Sequence, residues 1–330
     1  MPKISVIIPA YNAELHLQET IDSILSQSFK DFELIIVNHA STDRTLQIIE
    51  KYAKIDKRIV INSLSENMGG GKYAADIGYS IAKGEWIIRV DSDDYLSNNS
   101  LETLYKKAVN SKSDIVLQKM YCFNNETKEA VKIYSAPNSD LNMTIEGREA
   151  VRLTIGKWRI GCNGMLMKKE IIPEYKVPEV PTYLNSCEID TRIFLINAKK
   201  ISFCDSNYMY RIHPENSGKK PSVNRTGLLI VDEMLESLLQ EKYHTNDVIF
   251  NDMTLQKGRH LLGFHLFFLK NIRLFNSVDY FKTIKIINNF YKGINFKLFK
   301  GKYSKLISIS LRISNFLFNF LISIFKRKYI

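Results

Sequence analysis

The chain has 330 residues, 45% hydrophobic and 25% charged, enough for one large domain or two modest ones with a real core. Its net charge of +11 is uneven: residues 257–330 hold 15 Lys/Arg against one acid, or +14, while the first 256, with 31 bases and 34 acids, carry −3. Four scattered cysteines without metal-finger spacing, an opening strand pattern in place of a signal peptide, and no apolar run of about 18 residues exclude a disulfide scaffold, a zinc finger and an obligate membrane span. The expected compartment is the reducing cytoplasm. The basic part has no helix-turn-helix or RNA-motif signature, so nucleic acid is not an expected partner.

In chain order, β-branched runs at 3–11, 32–39, 58–64 and 85–91 predict strands. Helical spacing at 15–28, 41–54, 71–84 and 99–111 predicts the helices around them, and 113–121 a further strand. Ser41 or Thr42 is the expected N-cap of the second helix, and Gly84 the expected C′ residue of the third. Residues 122–225 are less regular, and helical patterns dominate from about Arg225 onward. Continuous apolar strands alternating with helices predict an α/β fold with a mostly parallel sheet covered on both faces. Ligands of such sheets bind beyond the carboxyl ends of the strands, so "PAYN", "NHAS" and "DSDD" should share one rim.

The apolar run of the fourth strand leads directly into Asp91, Asp93 and Asp94. Ionised carboxylates repel one another and are costly to desolvate, so a ligand or ion must offset them in a crevice. Asp-x-Asp in that place suits a hard divalent cation, Mg²⁺ or Mn²⁺, shared with substrate phosphates. The competing expectation is a plain helix cap formed by Asp93 or Asp94.

"SVIIPAYNAELHLQETIDSILSQSFKDFELIIVN", "STDRT" and "NMGGGKYAADIGYSIAKGEWIIRVDSDDYL" together resemble the nucleotide-binding half of family 2 glycosyltransferases. The likeness returns more weakly at "GCNGMLMKKEII", "SCEIDTRIFL" and "YRIHPENS". It implies a GT-A fold over 1–225, with a donor half at 1–120 and an acceptor half at 121–225, followed by a helical basic region at 226–330. Pro9, Tyr11 and Asn12 would border the nucleoside, Asp91 the ribose or donor sugar, and Asp93 the metal on the diphosphate. Asp94 would stand behind them. Arg211 and His213 would close on the diphosphate or metal, and Asn163 would line the acceptor side. The proton acceptor expected in inverting members falls on Glu188 in the best register, with Asp190 as the fallback.

Departures from the family pattern bear on the base. Where Asp-Asp-Gly-Ser is common, this chain has Asn38, His39, Ala40 and Ser41. A neutral His39 can accept the uracil imide N–H through one ring nitrogen if the tautomer is right. Guanine, as in GDP-mannose, is the competing base. The Arg-Asn pair of the third helix is replaced by Ala75-Asp76, and Lys72 is the expected substitute cation for base or phosphate. The Gln-x-x-Arg-Trp sequence of polymerising members is absent, which favours a single transfer.

Near the C-terminus, Ser308, Arg312, Asn315, Asn319, Ser323 and Lys326 form one narrow polar stripe on an otherwise apolar helix over 306–328. With +14 around it, that helix should lie on a membrane surface; packing on the catalytic domain or in a homodimer is the alternative. The combined expectation is an inverting, metal-dependent transferase on the cytoplasmic face of the membrane. It would move one sugar from a nucleotide-diphosphate sugar, UDP favoured, to a glycan or lipid-linked glycan of surface polysaccharide. A sugar nucleotidyltransferase and a catalytically silent membrane-bound assembly subunit are the alternatives.

Overall fold

The computed structural model describes residues 1–155, 158–173, 187–213, 227–244, 247–271, 277–299 and 302–326. Strands β1 (Ile4–Ala10), β2 (Phe32–Asn38), β3 (Ile59–Ser63) and β4 (Trp86–Arg89) pair in parallel in the order β3-β2-β1-β4. Between and after them run α1 (Leu17–Leu25), α2 (Thr45–Ile55), α3 (Gly70–Ile81) and α4 (Ser100–Ser111). The period of two sends successive side chains of β1 to opposite faces. Ile4, Val6 and Ile8 pack in one core with Leu17, Ile21 and Ile24 of α1 and Leu101 and Leu104 of α4, whereas Ile7 meets α3 at Gly78. Because both faces are covered, every position of β1 and β2 is buried, which is why these strands read as unbroken apolar runs.

The second half of the sheet is mixed. Short β5 (Tyr95–Leu96) is followed by β6 (Ile115–Asn124), β7 (Ala130–Tyr134) and β8 (Thr144–Ile145), then by helix α5 (Gly147–Thr154). Strand β9 (Leu166–Lys168) slots antiparallel between β4 and β6, helix α6 (Cys187–Asn197) follows, and β10 (Ile201–Ile212) runs parallel to β6. Ten strands of the described residues thus form one sheet.

Two expected boundaries move. Helix α2 begins at Thr45, because Ser41 and Thr42 are spent on the neighbouring loop: Asn12 N–H donates to Ser41 Oγ at 3.1 Å and Thr42 N–H to Asn12 Oδ1 at 2.8 Å. Helix α3 ends at Ile81 with Ala82 as its cap, and Gly84 serves a close approach instead, since a Cβ there would lie 2.6 Å from Ser5 N.

The chain divides into two compact units. The first comprises Met1–Val151, Arg159–Thr182 and Asp190–Pro214; the second comprises Arg152–Trp158, Tyr183–Ile189 and Glu215–Ile330. The second, helical unit thus takes in two short earlier segments of the chain. That unit contains α7 (Gly227–Lys242), α8 (Ile249–Asn271), α9 (Ser277–Lys292) and α10 (Lys302–Lys326). Leu261, Phe264 and Phe268 of α8, Tyr280, Ile287 and Phe290 of α9, and Ile307, Leu311 and Phe318 of α10 make its core.

Helix α10 carries three faces, where the sequence pattern had suggested a polar stripe and one apolar remainder. Ile307, Leu311 and Phe318 are buried, Arg312 and Asn319 are exposed, and Leu306, Ile309, Ile313, Phe316, Leu317 and Phe320 stand 48–71% exposed. Packing on α8 accounts for the first face only. Among the described residues no helix is long and apolar enough to cross a membrane.

His265 of α8 joins the two helices: its Nδ1 lies 2.6 Å from Ser314 Oγ and its ring stacks on Phe318 at 4.5 Å. Burial pushes its pKa down to about 4. The unfolded imidazole takes a proton near pH 6.5, so stability present above that value is lost as the pH falls towards the folded value. Between pH 7 and pH 5 the native chain should lose about 2 kcal/mol more stability than His265→Gln. Denaturant unfolding followed by circular dichroism at the two pH values checks the difference.

Candidate active site

The rim at the carboxyl ends of β1, β2 and β4 brings the expected residues of the first unit together. Pro9 lies within β1 and is buried; Tyr11, just beyond its end, is 48% exposed. Asn12 adopts a left-handed φ of 47°, a conformation that asparagine tolerates better than most residues, and its side chain ties this loop to Thr42. His39 follows β2, with its backbone N–H donating to Ala10 O at 2.8 Å. Its ring is buried, lies edge-on to Tyr11 at 6.4 Å and stacks on Tyr73 at 5.8 Å. His39 Nε2 accepts a hydrogen bond from Met68 N–H at 2.9 Å, and burial pushes the ring's pKa down.

The carboxylates of Asp91, Asp93 and Asp94 have oxygens within 4.8 Å of one another. Each is treated differently. Asp91 accepts from Arg89 Nε and Nη2 at 3.1 and 2.9 Å and from the amide of Asn163. Asp94 is 1% exposed and accepts from Tyr208 Oη at 2.7 Å and Arg211 N–H at 2.8 Å. Burial, then the charges of Asp93 and Asp91, push its pKa well above the ordinary carboxylate range, against those two hydrogen bonds. Asp93 is half-buried, and its Oδ2 lies 3.0 Å from His213 Nε2. A carboxylate and an imidazole facing one another are a donor set that fits Mn²⁺ or Mg²⁺ with substrate oxygens completing the shell. The helix-cap alternative does not hold: α4 starts at Ser100 with Asn99 as its N-cap, and Gln27 Oε1 accepts from its Leu101 N–H at 3.1 Å.

Several side chains expected to touch substrate also make close contacts within the protein. Arg211 is 1% exposed; its guanidinium reaches Glu19 and Asn125 at 2.6 Å each and the carbonyl of Asp93 at 2.7 Å. It anchors the Asp93 backbone, and β10 carries it beneath the rim. Lys72 donates to both oxygens of Asp76, at 2.9 and 2.8 Å, and pairs with Asp190 Oδ1 at 3.0 Å. Burial works against its charge, but Asp190 and Asp76 outweigh it and raise the Lys72 pKa. Asn163 donates its amide N–H to Asp91.

Asp190 is buried in the first unit and lies close enough to Asp76 and Cys162 to act on their ionisation. Glu188, in the first turn of α6, is half-buried and belongs to the second unit. Two residues along a helix turn the side chain by roughly 200°, so the two acids leave α6 on nearly opposite sides.

Sequence reasoning missed Arg89, Tyr208, Asp76 and His16. Arg89 had a signal, as the one charge inside an apolar strand. Tyr208 had none; it fits because Gly164, with φ +71°, leaves space where a Cβ would sit 2.5 Å from its ring. His16 lies 5.0 Å from the His213 ring and is pushed down in pKa by burial, then by Arg211 and His213.

Residues 5–175 match the model of the family described as glycosyl transferase family 2. The chain belongs to glycosyl transferase family 2. It is therefore a glycosyltransferase, which sets aside the nucleotidyltransferase alternative. Among this family's members it is 29% identical over 214 residues to glycosyltransferase GlyG of Streptococcus pneumoniae, covering 63% of this chain and 70% of GlyG. It is 28% identical over 314 residues to the poly(ribitol-phosphate) beta-N-acetylglucosaminyltransferase TarP of Staphylococcus aureus, covering 89% of each. Against the longer poly(ribitol-phosphate) beta-glucosyltransferase of Bacillus spizizenii, at 31% identity over 217 residues, 64% of this chain spans 32% of that protein. The structure of S. aureus TarS 1-349 in complex with UDP-GlcNAc superposes with a TM-score of 0.71 at 21% identity, covering 99% of this chain and 92% of that one. The family 2 fold, GT-A, is thus the one expected from the sequence.

Lys72→Met would leave Asp76 and Asp190 buried and facing each other without a cation. Denaturant unfolding should then show a loss of about 2 kcal/mol, discounted for the partial exposure of the lysine. Adding Asp76→Asn to that variant should recover part of the loss.

Proposed function

We propose that this glycosyltransferase moves a single sugar from a nucleotide-diphosphate sugar, a UDP-sugar by analogy with the ligand in the TarS structure, to a hydroxyl of a surface glycan. The reading rests on one observation above others: Asp93 and His213 face each other at the strand ends, within the same rim as Tyr11 and His39. Asp93 and His213 would hold Mn²⁺ or Mg²⁺, which supplies positive charge to the departing diphosphate. Arg89 and Asn163 orient Asp91 beside it. Names of the poly(ribitol-phosphate) relatives support a polyol-phosphate or glycan acceptor.

Of the two acids on α6, Asp190 is the better proton acceptor. It lies in the same unit as the carboxylate rim, and Lys72 Nζ holds its Oδ1 at 3.0 Å. The acceptor hydroxyl oxygen bonds to the anomeric carbon while its proton passes to Asp190. The bond from that carbon to the diphosphate oxygen breaks on the opposite face, taking its electron pair with it. The configuration inverts in this single displacement. Asp93→Asn should abolish transfer and Mn²⁺-dependent nucleotide binding while leaving the circular dichroism spectrum unchanged. Asp190→Asn should keep nucleotide binding and cut turnover by about 10²-fold or more, with Glu188→Gln milder. A reversed ranking of the two would move the proton-acceptor role to Glu188.

The exposed face of α10 supports a peripheral site of action on the cytoplasmic side of the membrane, at a lipid-linked acceptor. Six large apolar side chains stand open to solvent there, in a region of charge +14. Each buried CH₂ contributes about 0.8 kcal/mol and each nearby Lys or Arg about 1 kcal/mol at an anionic surface. Truncating α10 would also expose the core built on Ile307, Leu311 and Phe318, so the test uses Phe316→Glu with Phe320→Glu. The native chain should sediment with anionic vesicles and the double variant should stay in solution. If the native chain ignores vesicles and the variant instead loses mass on size-exclusion chromatography, the face is a homodimer contact.

A further inference from the structure

The ring at the end of β2 has a defined hydrogen-bonding polarity. A neutral imidazole offers one N–H and one lone-pair nitrogen. Met68 N–H lies 2.9 Å from His39 Nε2, and a backbone amide nitrogen only donates, so Nε2 is the lone-pair nitrogen. The proton therefore resides on Nδ1. A second proton on Nε2 would point at the Met68 N–H, and burial of the ring opposes that charge as well.

The consequence concerns which atoms of a base this position can meet. A carboxylate in its place would only accept, and so would select an imide N–H. Uracil carries such an N–H at N3 between two carbonyl oxygens. Cytosine has a lone pair at N3 and a carbonyl at O2, so the same carboxylate would repel it. His39 has no lone pair left to offer, because Met68 occupies it. It presents Nδ1–H, flanked by the Tyr11 edge and the stacked Tyr73 ring.

We propose that His39 reads the base of the sugar donor by donating Nδ1–H to an acceptor atom, so that the pocket does not use the uracil imide and takes cytidine as well as uridine diphosphates. The inference rests on the nucleotide-sugar reading of the rim. Uracil satisfies the ring through a carbonyl oxygen, and cytosine through N3 or O2. Mismatched donor and acceptor groups in a buried site are what give such positions their selectivity, so reversing the polarity of one side chain removes the discrimination.

The test measures dissociation constants of UDP and CDP by isothermal titration calorimetry with Mn²⁺, for the native chain, His39→Asp and His39→Asn. The asparagine amide reaches the position of Nδ1 and can still donate an N–H there, whereas aspartate at the same position can only accept. The native chain and His39→Asn should discriminate between UDP and CDP by less than tenfold, and His39→Asp should shift the ratio towards UDP by tenfold or more. A native preference for UDP of tenfold or more, or a ratio unmoved by His39→Asp, overturns the proposal. So does a shift produced equally by His39→Asn, since that marks disturbed packing rather than polarity. Failure of the native chain to bind UDP, CDP, GDP or ADP would instead overturn the nucleotide-sugar reading on which the proposal stands.

Discussion

Three carboxylates whose oxygens lie within 4.8 Å of one another are the constraint around which the first unit is organised. Ionised groups at that spacing repel, and burial raises the cost further. The fold answers with separate solutions. Asp91 receives a guanidinium from its own strand and an amide from Asn163. Asp94 is sunk beneath the rim against a tyrosine hydroxyl and a backbone N–H of β10. Asp93 faces the ring of His213, with its Oδ2 3.0 Å from Nε2.

That division explains why β10 matters to a site whose motif lies in β4. Tyr208, Arg211 and His213 sit within six residues of one another and touch all three acids, either through side chains or through the Asp91 N–H and the Asp93 carbonyl. Arg211 in turn reaches Glu19 in α1, so the first helix, the acid loop and the last strand are joined through one buried cation. Its planar fork of donors is suited to the role, because it satisfies three oxygens in fixed directions where a lysine would supply a single point charge.

The departures from the family pattern compensate one another locally. With Ala75-Asp76 in α3, the added acid is neutralised by Lys72 one turn earlier, and the same ammonium extends to Asp190 in α6. With histidine at position 39, the lone pair that a carboxylate would keep for a base is given to Met68. Both changes alter which groups face the rim without altering the strands that carry them. The helical unit uses the same economy: Asp232 lies between Gln256 and His260, and Lys257 pairs with Glu236 over the ring of Phe290, so its buried charges are matched within α7, α8 and α9.

The sequence by itself determined the alternation of strands and helices, the parallel donor half, the shared rim and the acid motif at its edge. These follow from periodicity and from turn residues, which act over a few positions and so are written locally. It also placed the polar stripe of α10. What only the tertiary structure decided is partner choice. Lys72 lies 118 positions from Asp190, Arg211 lies 192 from Glu19, and no local pattern says which of several acids a cation will meet. The tautomer of His39 depends on the Met68 amide 29 residues away, and the division of the apolar side of α10 into a buried and an open face depends on where α8 lies against it. Periodicity states that a face will be apolar; only packing states what covers it.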